Sequence, residues 1–257
     1  MQTRVLGCSG GIGGNLRTTS FLLDRDVLID AGTGVGELGL TELAAIEHIF
    51  VTHSHLDHIA CIPLLLDSVG FTRDRALTIY ATEETIEILR QHIFNWKIWP
   101  DFSVIPNAQR PVMRYQPIKL GETVSLNGRK ITAIPANHTV PAVGYHLDSG
   151  DASLVFSGDT TTNDALWKVV NKIQNLRYLI IETAFPDGEK DLAILSKHLC
   201  PSLLGEELAK FKLDAGVFIT HLKPGEVEPT MQEIENLGYR LRPAMLLNNQ
   251  EFNLRGK

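Results

Sequence analysis

Cysteine is scarce in this chain: Cys8, Cys61 and Cys200 are the only three among 257 residues. An odd count at wide spacing excludes a disulfide framework and fits a reducing compartment. An excess of basic charge is also missing. Lys and Arg number 24 against 30 Asp and Glu, for a net charge of -6. That argues against a large nucleic-acid footprint, which usually needs a basic face, but leaves room for a small anionic substrate. No apolar run approaches the roughly 20 residues of a membrane span. Met1 to Gly7 lacks the apolar core of a secretory signal. Linkers, low-complexity tracts and short repeats are lacking too. At 44% apolar and 21% charged residues, the reading is a soluble, cytoplasmic globular protein with one domain over 1–257.

What the chain does have is Thr52-His53-Ser54-His55-Leu56-Asp57-His58. Three histidines and an aspartate fall in the pattern His-x-His-x-Asp-His. Ile46 to Val51 before it reads as a buried strand, and Ile59 onward opens an apolar helix ending near Ser68. The motif therefore sits at the carboxyl end of a strand, the edge where open α/β sheets bind ligands. Imidazole nitrogen and carboxylate oxygen suit zinc or a similar metal. His53 and His55, two apart in an extended stretch, can aim at one point. Asp57 and His58, past the bend, can aim at a second, as a two-metal site requires.

Along the chain, residues 3–8 read as a strand. Thr19 to Leu23 and Val27 to Ile29 form a hairpin around Asp24-Arg25-Asp26. Asp30 is placed to accept hydrogen bonds from the turn that carries the histidines, with a plain turn aspartate as the alternative. Gly34 to Gly39 spells GxGxxG, but the segment before the next strand fits only a short helix, and the expected ribose-binding acid would fall inside the metal motif. Leu77 to Tyr80 is a strand and Thr82 to Ile93 an amphipathic helix. Phe94 to Phe102, with Trp96 and Trp99, is either core or dimer surface, or a flat wall on which a base could stack. Runs at 122–126, 129–135, 142–147 and 153–157 are strands. Helices at 164–172, 201–212 and 230–236 then alternate with strands at 178–181, 215–220 and 244–247. This order fits a single α/β sandwich with helices outside two sheets.

Three more polar residues end apolar strands: His138, Asp159 and His221. They complete the count that two metals need. His53, His55 and His138 make one site; Asp57, His58 and His221 make the other; Asp159 bridges them.

THSHLDH at 52–58, the lone His138, SGDT at 157–160 and THLKPGE at 220–226 resemble the metallo-β-lactamase fold, in that family's order and over nearly the whole chain. The resemblance implies an αββα sandwich of two mixed β-sheets with helices on the outer faces and metals at one edge. Within the fold, GGNLRTTSFLLD (13–24), HLDHIACIPLLLDS (55–68), RQHIFNWKIWPDF (90–102), ETAFP (182–186) and LSKHLCP (195–201) most resemble the class II 3′,5′-cyclic-nucleotide phosphodiesterases. That implies two divalent ions, with zinc first and manganese or iron(II) as alternatives, and a homodimer. It implies a small cyclic nucleotide, cAMP or cGMP, as substrate, with nucleic acid and membrane disfavoured. It places His198 beside the metals as general acid, Glu182 beside His198 as its orienting carboxylate, and Asp57 as both ligand and catalytic carboxylate. A metal-bridging hydroxide would attack phosphorus, and the 3′ oxygen would leave with the proton of His198. Trp96, Trp99 and Asn137 are the expected base and ribose contacts. Cys61 departs from the glycine that relatives often carry; it reads as a packing change, or as an oxidation-sensitive thiol. The alternatives are a tRNA 3′-processing endonuclease of the same fold and a non-catalytic binding protein.

Overall fold

The hydrophobic strands of this chain bury both of their faces, which accounts for their unbroken apolar runs. In the computed structural model, which describes residues 1–238 and 241–256, the first half of the chain builds one sheet, completed at one edge by the C-terminal strand. Its elements are β1 (Gln2–Gly7), β2 (Ser20–Leu23), β3 (Val27–Ile29), α1 (Leu40–Ala45), β4 (His48–Phe50), α2 (Leu56–Ile59), α3 (Cys61–Val69), β5 (Leu77–Ala81), α4 (Glu83–His92) and β6 (Met113–Pro117). The second half supplies β7 (Thr123–Leu126), β8 (Arg129–Pro135), β9 (Val143–Asp148), β10 (Ser153–Phe156), α5 (Asp164–Val170), β11 (Leu176–Glu182), α6 (Lys190–Ser196), α7 (Pro201–Leu208), β12 (Gly216–Thr220), α8 (Val227–Asn236), β13 (Ala244–Met245) and β14 (Glu251–Asn253). The strand orders are β14-β1-β2-β3-β4-β5-β6 and β13-β12-β11-β10-β9-β8-β7. Each sheet mixes antiparallel with parallel pairs.

Residue parity along each strand decides which layer a side chain joins. Val27, Ile29 and Phe50 face the second sheet and pack with Tyr145, Phe156 and Ile180. Leu28 and Ile49 face outward, under Ile62, Leu66 and Leu89 of α3 and α4. On the other side, Val155, Leu179 and Ile219 meet Leu166, Leu204 and Ile234 of α5, α7 and α8. The result is the expected αββα sandwich. Phe50 and Tyr80 stack at 4.4 Å at its centre. Arg129 ties the sheets at one end, donating to Asp26 at 2.6 and 2.7 Å and to Asp24 at 3.2 Å.

Several elements differ from the sequence reading. Strand β4 is shorter than 46–51, because Ile46 and Val51 are buried in the loops at its two ends. The helix after the motif is split at Ala60 into α2 and α3. β6, β14 and α6 carry polar or exposed residues and were not read. The GxGxxG stretch holds a 3₁₀ turn over 33–37 and not a phosphate loop. A Cβ at Gly34 would lie 2.5 Å from the Leu6 backbone, so this glycine serves close packing. No helix among the described residues is long and apolar enough to cross a membrane.

Candidate metal centre and its histidine–carboxylate pair

Asp30 organises the turn after β4. It takes a left-handed backbone (φ 56°), which aspartate tolerates better than most residues. Its buried carboxylate accepts from Thr52 N at 2.7 Å, Thr52 Oγ1 at 2.8 Å and His58 Nδ1 at 2.7 Å. The turn is fastened further by Ala31 N to the His58 carbonyl, at 2.7 Å, and by Val143 N to the Thr52 carbonyl, at 3.0 Å. Chain packing is so close here that a Cβ on Gly32 would stand 2.3 Å from the Asp57 carbonyl oxygen. Of the two readings of Asp30, the structure selects the hydrogen-bonded one.

Two groups of side chains converge above this turn. His53, His55, His138 and Asp159 present ligand atoms within 4.8 Å of one another, and so do Asp57, His58, Asp159 and His221. His53 Nε2 and His58 Nε2 stand 3.7 and 3.3 Å from Asp159 Oδ2. His221 Nδ1 is 3.2 Å from Asp159 Oδ1, and Asp57 Oδ2 is 3.8 Å from His58 Nε2 and 3.7 Å from His221 Nε2. His138 Nε2 and His55 Nδ1 are 3.2 Å apart. Four ligand atoms set about 2.0–2.2 Å from one ion would stand about 3.3–3.6 Å from each other.

The chemistry of these atoms fits a cation. His53 Nε2, His58 Nε2, His221 Nδ1 and both Asp159 oxygens are buried without a hydrogen-bond partner. Leaving such groups unsatisfied costs about 1–3 kcal/mol each, more where charged, and a metal ion would satisfy them together. The opposite ring nitrogens are engaged. His58 Nδ1 is bonded to Asp30, His53 Nδ1 lies 3.0 Å from Thr52 Oγ1, and His138 Nδ1 lies 3.1 Å from the Lys197 carbonyl. Such partners fix the tautomer that leaves Nε2 free. Burial holds His53, His55 and His221 below the ordinary histidine range and His138 down at about 4, so these rings are neutral and can ligate. Burial also works against protonation of His58, but Asp159 and Asp30 outweigh it and carry it well above that range. Burial works equally against the Asp159 carboxylate, yet the histidines around it hold it well below the ordinary range.

Beside the two groups, β11 ends in Glu182, fully buried. Its Oε1 accepts from His198 Nδ1 at 2.8 Å and Thr160 N at 3.0 Å, and its Oε2 from Leu199 N at 3.3 Å. The His198 ring lies 5.0 Å from that of His138 and 4.9 Å from that of His221, one from each group. Burial alone would lower His198, but Glu182 raises it above the ordinary value. The pair therefore keeps a proton on a ring that faces both groups.

The expected base and ribose contacts divide between Asn137, which adjoins His138, and the two tryptophans of the 94–102 stretch. Trp96 is exposed and Trp99 packs against the outer core of the first sheet; among the described residues no ring contact or hydrogen bond joins either to the histidines. Phe94 and Phe102, from the same stretch, are core residues. The Asn137 amide donates to the Thr162 carbonyl at 3.0 Å, pinning the loop that follows Asp159. Cys61 sits in the core under the motif, where burial pushes its thiol up and favours the packing reading. Thr52, Thr160 and Lys197 were missed, because each acts through a backbone group or a hydroxyl that no spacing announces.

Residues 25–236 match a family model described as a β-lactamase superfamily domain. Over 204 residues the chain is 29% identical to a probable 3′,5′-cyclic-nucleotide phosphodiesterase of Yersinia pestis, covering 70% of this chain and 58% of that protein's length. It is 32% identical over 250 residues to the ribonuclease Z of Methanocaldococcus jannaschii, covering 76% of each. The crystal structure of unliganded yeast PDE1 superposes with a TM-score of 0.82 at 18% identity, over 97% of this chain and 98% of that one.

Proposed function

This chain belongs to the β-lactamase superfamily, and we propose that within it the protein is a metal-dependent phosphodiesterase that opens 3′,5′-cyclic nucleotides to nucleoside 5′-monophosphates. The observation that carries the proposal is the Glu182–His198 pair, with its ring against one histidine of each ligand group. Hydrolysis of a phosphodiester expels an alkoxide, which needs a proton, and a positioned imidazolium supplies one.

In this reading His53, His55 and His138 would hold one divalent ion and Asp57, His58 and His221 the other, with Asp159, which belongs to both groups, serving each. When bound, the ions supply Lewis-acid stabilisation of phosphate charge and an acidified water. Zinc suits the nitrogen-rich donor set, with manganese or iron(II) as alternatives. His198 bonds Glu182 through Nδ1, so its Nε2 proton is the one delivered to the departing O3′. Glu182 fixes the ring and offsets the imidazolium charge before transfer. Oδ2 of Asp57 faces His58 and His221, which leaves Oδ1 of this partly exposed carboxylate to orient a water. Trp96, Trp99 and Asn137 remain the residues to vary for base and ribose contacts. The protein acts in the cytoplasm as a homodimer, and its three free cysteines suit that compartment.

Phosphorus NMR of metal-loaded protein with 3′,5′-cyclic AMP tests this. The expected product is 5′-AMP, abolished by a chelator. Formation of 3′-AMP alone would overturn the role of His198, and no product from protein with two bound ions would overturn the substrate class. The ribonuclease Z relative, aligned over 76% of its length, favours a second reading, tRNA 3′ processing, which cleavage of a tRNA precursor would reveal. The net charge of -6 supports the small substrate over it.

A further inference from the structure

At the other end of the first sheet lies a cleft of about 580 Å³ lined by Phe71, Arg73, Arg75, Arg110 and Arg114, with Asp74 as its only acid. Its position follows from the parallel register. β4 runs into the histidine motif, and β4, β5 and β6 pair His48 with Thr78 and Leu77 with Met113. The segments before β5 and β6 therefore meet at the opposite edge from the motif, about one strand length, or roughly 17 Å, away.

Four guanidiniums against one carboxylate are unusual on a chain with a net charge of -6. They are also poorly neutralised. Among the described residues no carboxylate forms an ion pair with Arg73, Arg110 or Arg114, and Arg75 has only Glu47, at 3.9 Å. Arg73 is the most constrained. It donates to the Ala44 carbonyl, while its Nε is buried without a partner. The other three, Arg75, Arg110 and Arg114, are exposed, and guanidiniums match phosphate oxygens two at a time. Phe71 adds a second chemistry. It is 62% exposed, and edge contact with Phe102 at 6.1 Å holds its ring. An open aromatic face beside an arginine cluster offers a stacking platform next to a phosphate cradle.

We propose that this cleft binds a nucleoside phosphate, with its phosphates on Arg73, Arg75, Arg110 and Arg114 and its base stacked on Phe71. The site is separate from the metal centre and does not depend on the reaction proposed there.

Calorimetric titration of the metal-loaded protein with ATP and with inorganic tripolyphosphate, at about 0.1 M salt and above, tests it. Saturable ATP binding that weakens with salt is expected. The Arg110→Ala/Arg114→Ala double variant should bind ATP about tenfold more weakly or worse. Phe71→Ala should weaken ATP but leave tripolyphosphate unchanged. The double variant should keep the metal content of the unaltered protein, so that its lost ATP binding is assigned to this cleft and not to the metal centre. If the double variant fails to fold, Arg75→Glu, at a residue whose side chain is 80% exposed, serves in its place. ATP affinity that ignores these arginines would overturn the site. Equal binding of ATP and tripolyphosphate with no effect of Phe71→Ala, or a marked preference for an RNA oligomer, would overturn the ligand class.

Discussion

His138 and Lys197 hold each other twice. His138 Nδ1 lies 3.1 Å from the Lys197 carbonyl, and Lys197 Nζ donates to the His138 carbonyl at 3.1 Å. Lys197 reaches this pose with a left-handed backbone, φ 53°, at the end of α6. The link couples a candidate ligand to the residue just before His198. Lys197→Ala removes only the ammonium contact and should cost about 0.5–1.5 kcal/mol. Thermal denaturation should show that loss while elemental analysis finds the metal content unchanged.

His198→Ala should keep bound metal and lose about 10²- to 10⁴-fold in turnover of cyclic AMP. Retention of full turnover, with metal content measured alongside, would remove His198 from the mechanism.

The pH profile should report Glu182. Glu182 raises His198 above its ordinary value, so the imidazolium persists to higher pH and turnover falls as pH rises through that raised value. In Glu182→Gln the carboxylate charge is gone, and the alkaline fall should move to lower pH. An unmoved alkaline limb in kcat against pH would mean that another group sets it.

Removing the metals should destabilise the fold. The unpartnered atoms of His53, His58, His221 and Asp159 are left without a cation, and an ion present at about 100 times its Kd contributes about 2.7 kcal/mol. Chelation should lower Tm in the parent protein and hardly at all in Asp159→Ala, which should already have lost metal.

Arg129 makes a separate prediction, about stability at low pH. Its hydrogen bonds hold the Asp26 carboxyl below the usual range, against a smaller effect of burial. Because the folded value lies below the unfolded one of about 3.9, the stabilisation is full above that value. It is lost as pH falls through the folded one. Arg129→Met should cost about 1.5–3 kcal/mol near neutrality and flatten the loss of stability below about pH 4. Urea midpoints at a series of pH values would measure both.

The motif from His53 to His58 was legible because its geometry is local. Two ligands lie two apart in extended chain, and two more lie within the next turn. A sandwich with helices outside two sheets was legible in the order of strands and helices, and the αββα arrangement in the family resemblance. Which layer each side chain joins was not, because strands buried on both faces show unbroken apolar runs. His138, Asp159 and His221 could be nominated from the ends of apolar strands, but only the tertiary structure brings them to the motif. Their convergence is set by strand pairing across long separations, and one-dimensional spacing does not encode it. Lys197 acts through a carbonyl and an αL backbone, which have no side-chain signature. β6 and β14 escaped because an edge strand is held by its backbone ladder and needs no apolar alternation. The tryptophans of the 94–102 stretch carried chemistry that suits a base, yet packing put Trp99 against the outer core. The arginine cleft shows the same limit. Arg73 and Arg75 lie far along the chain from Arg110 and Arg114, and the parallel pairing of β5 with β6 is what makes them neighbours.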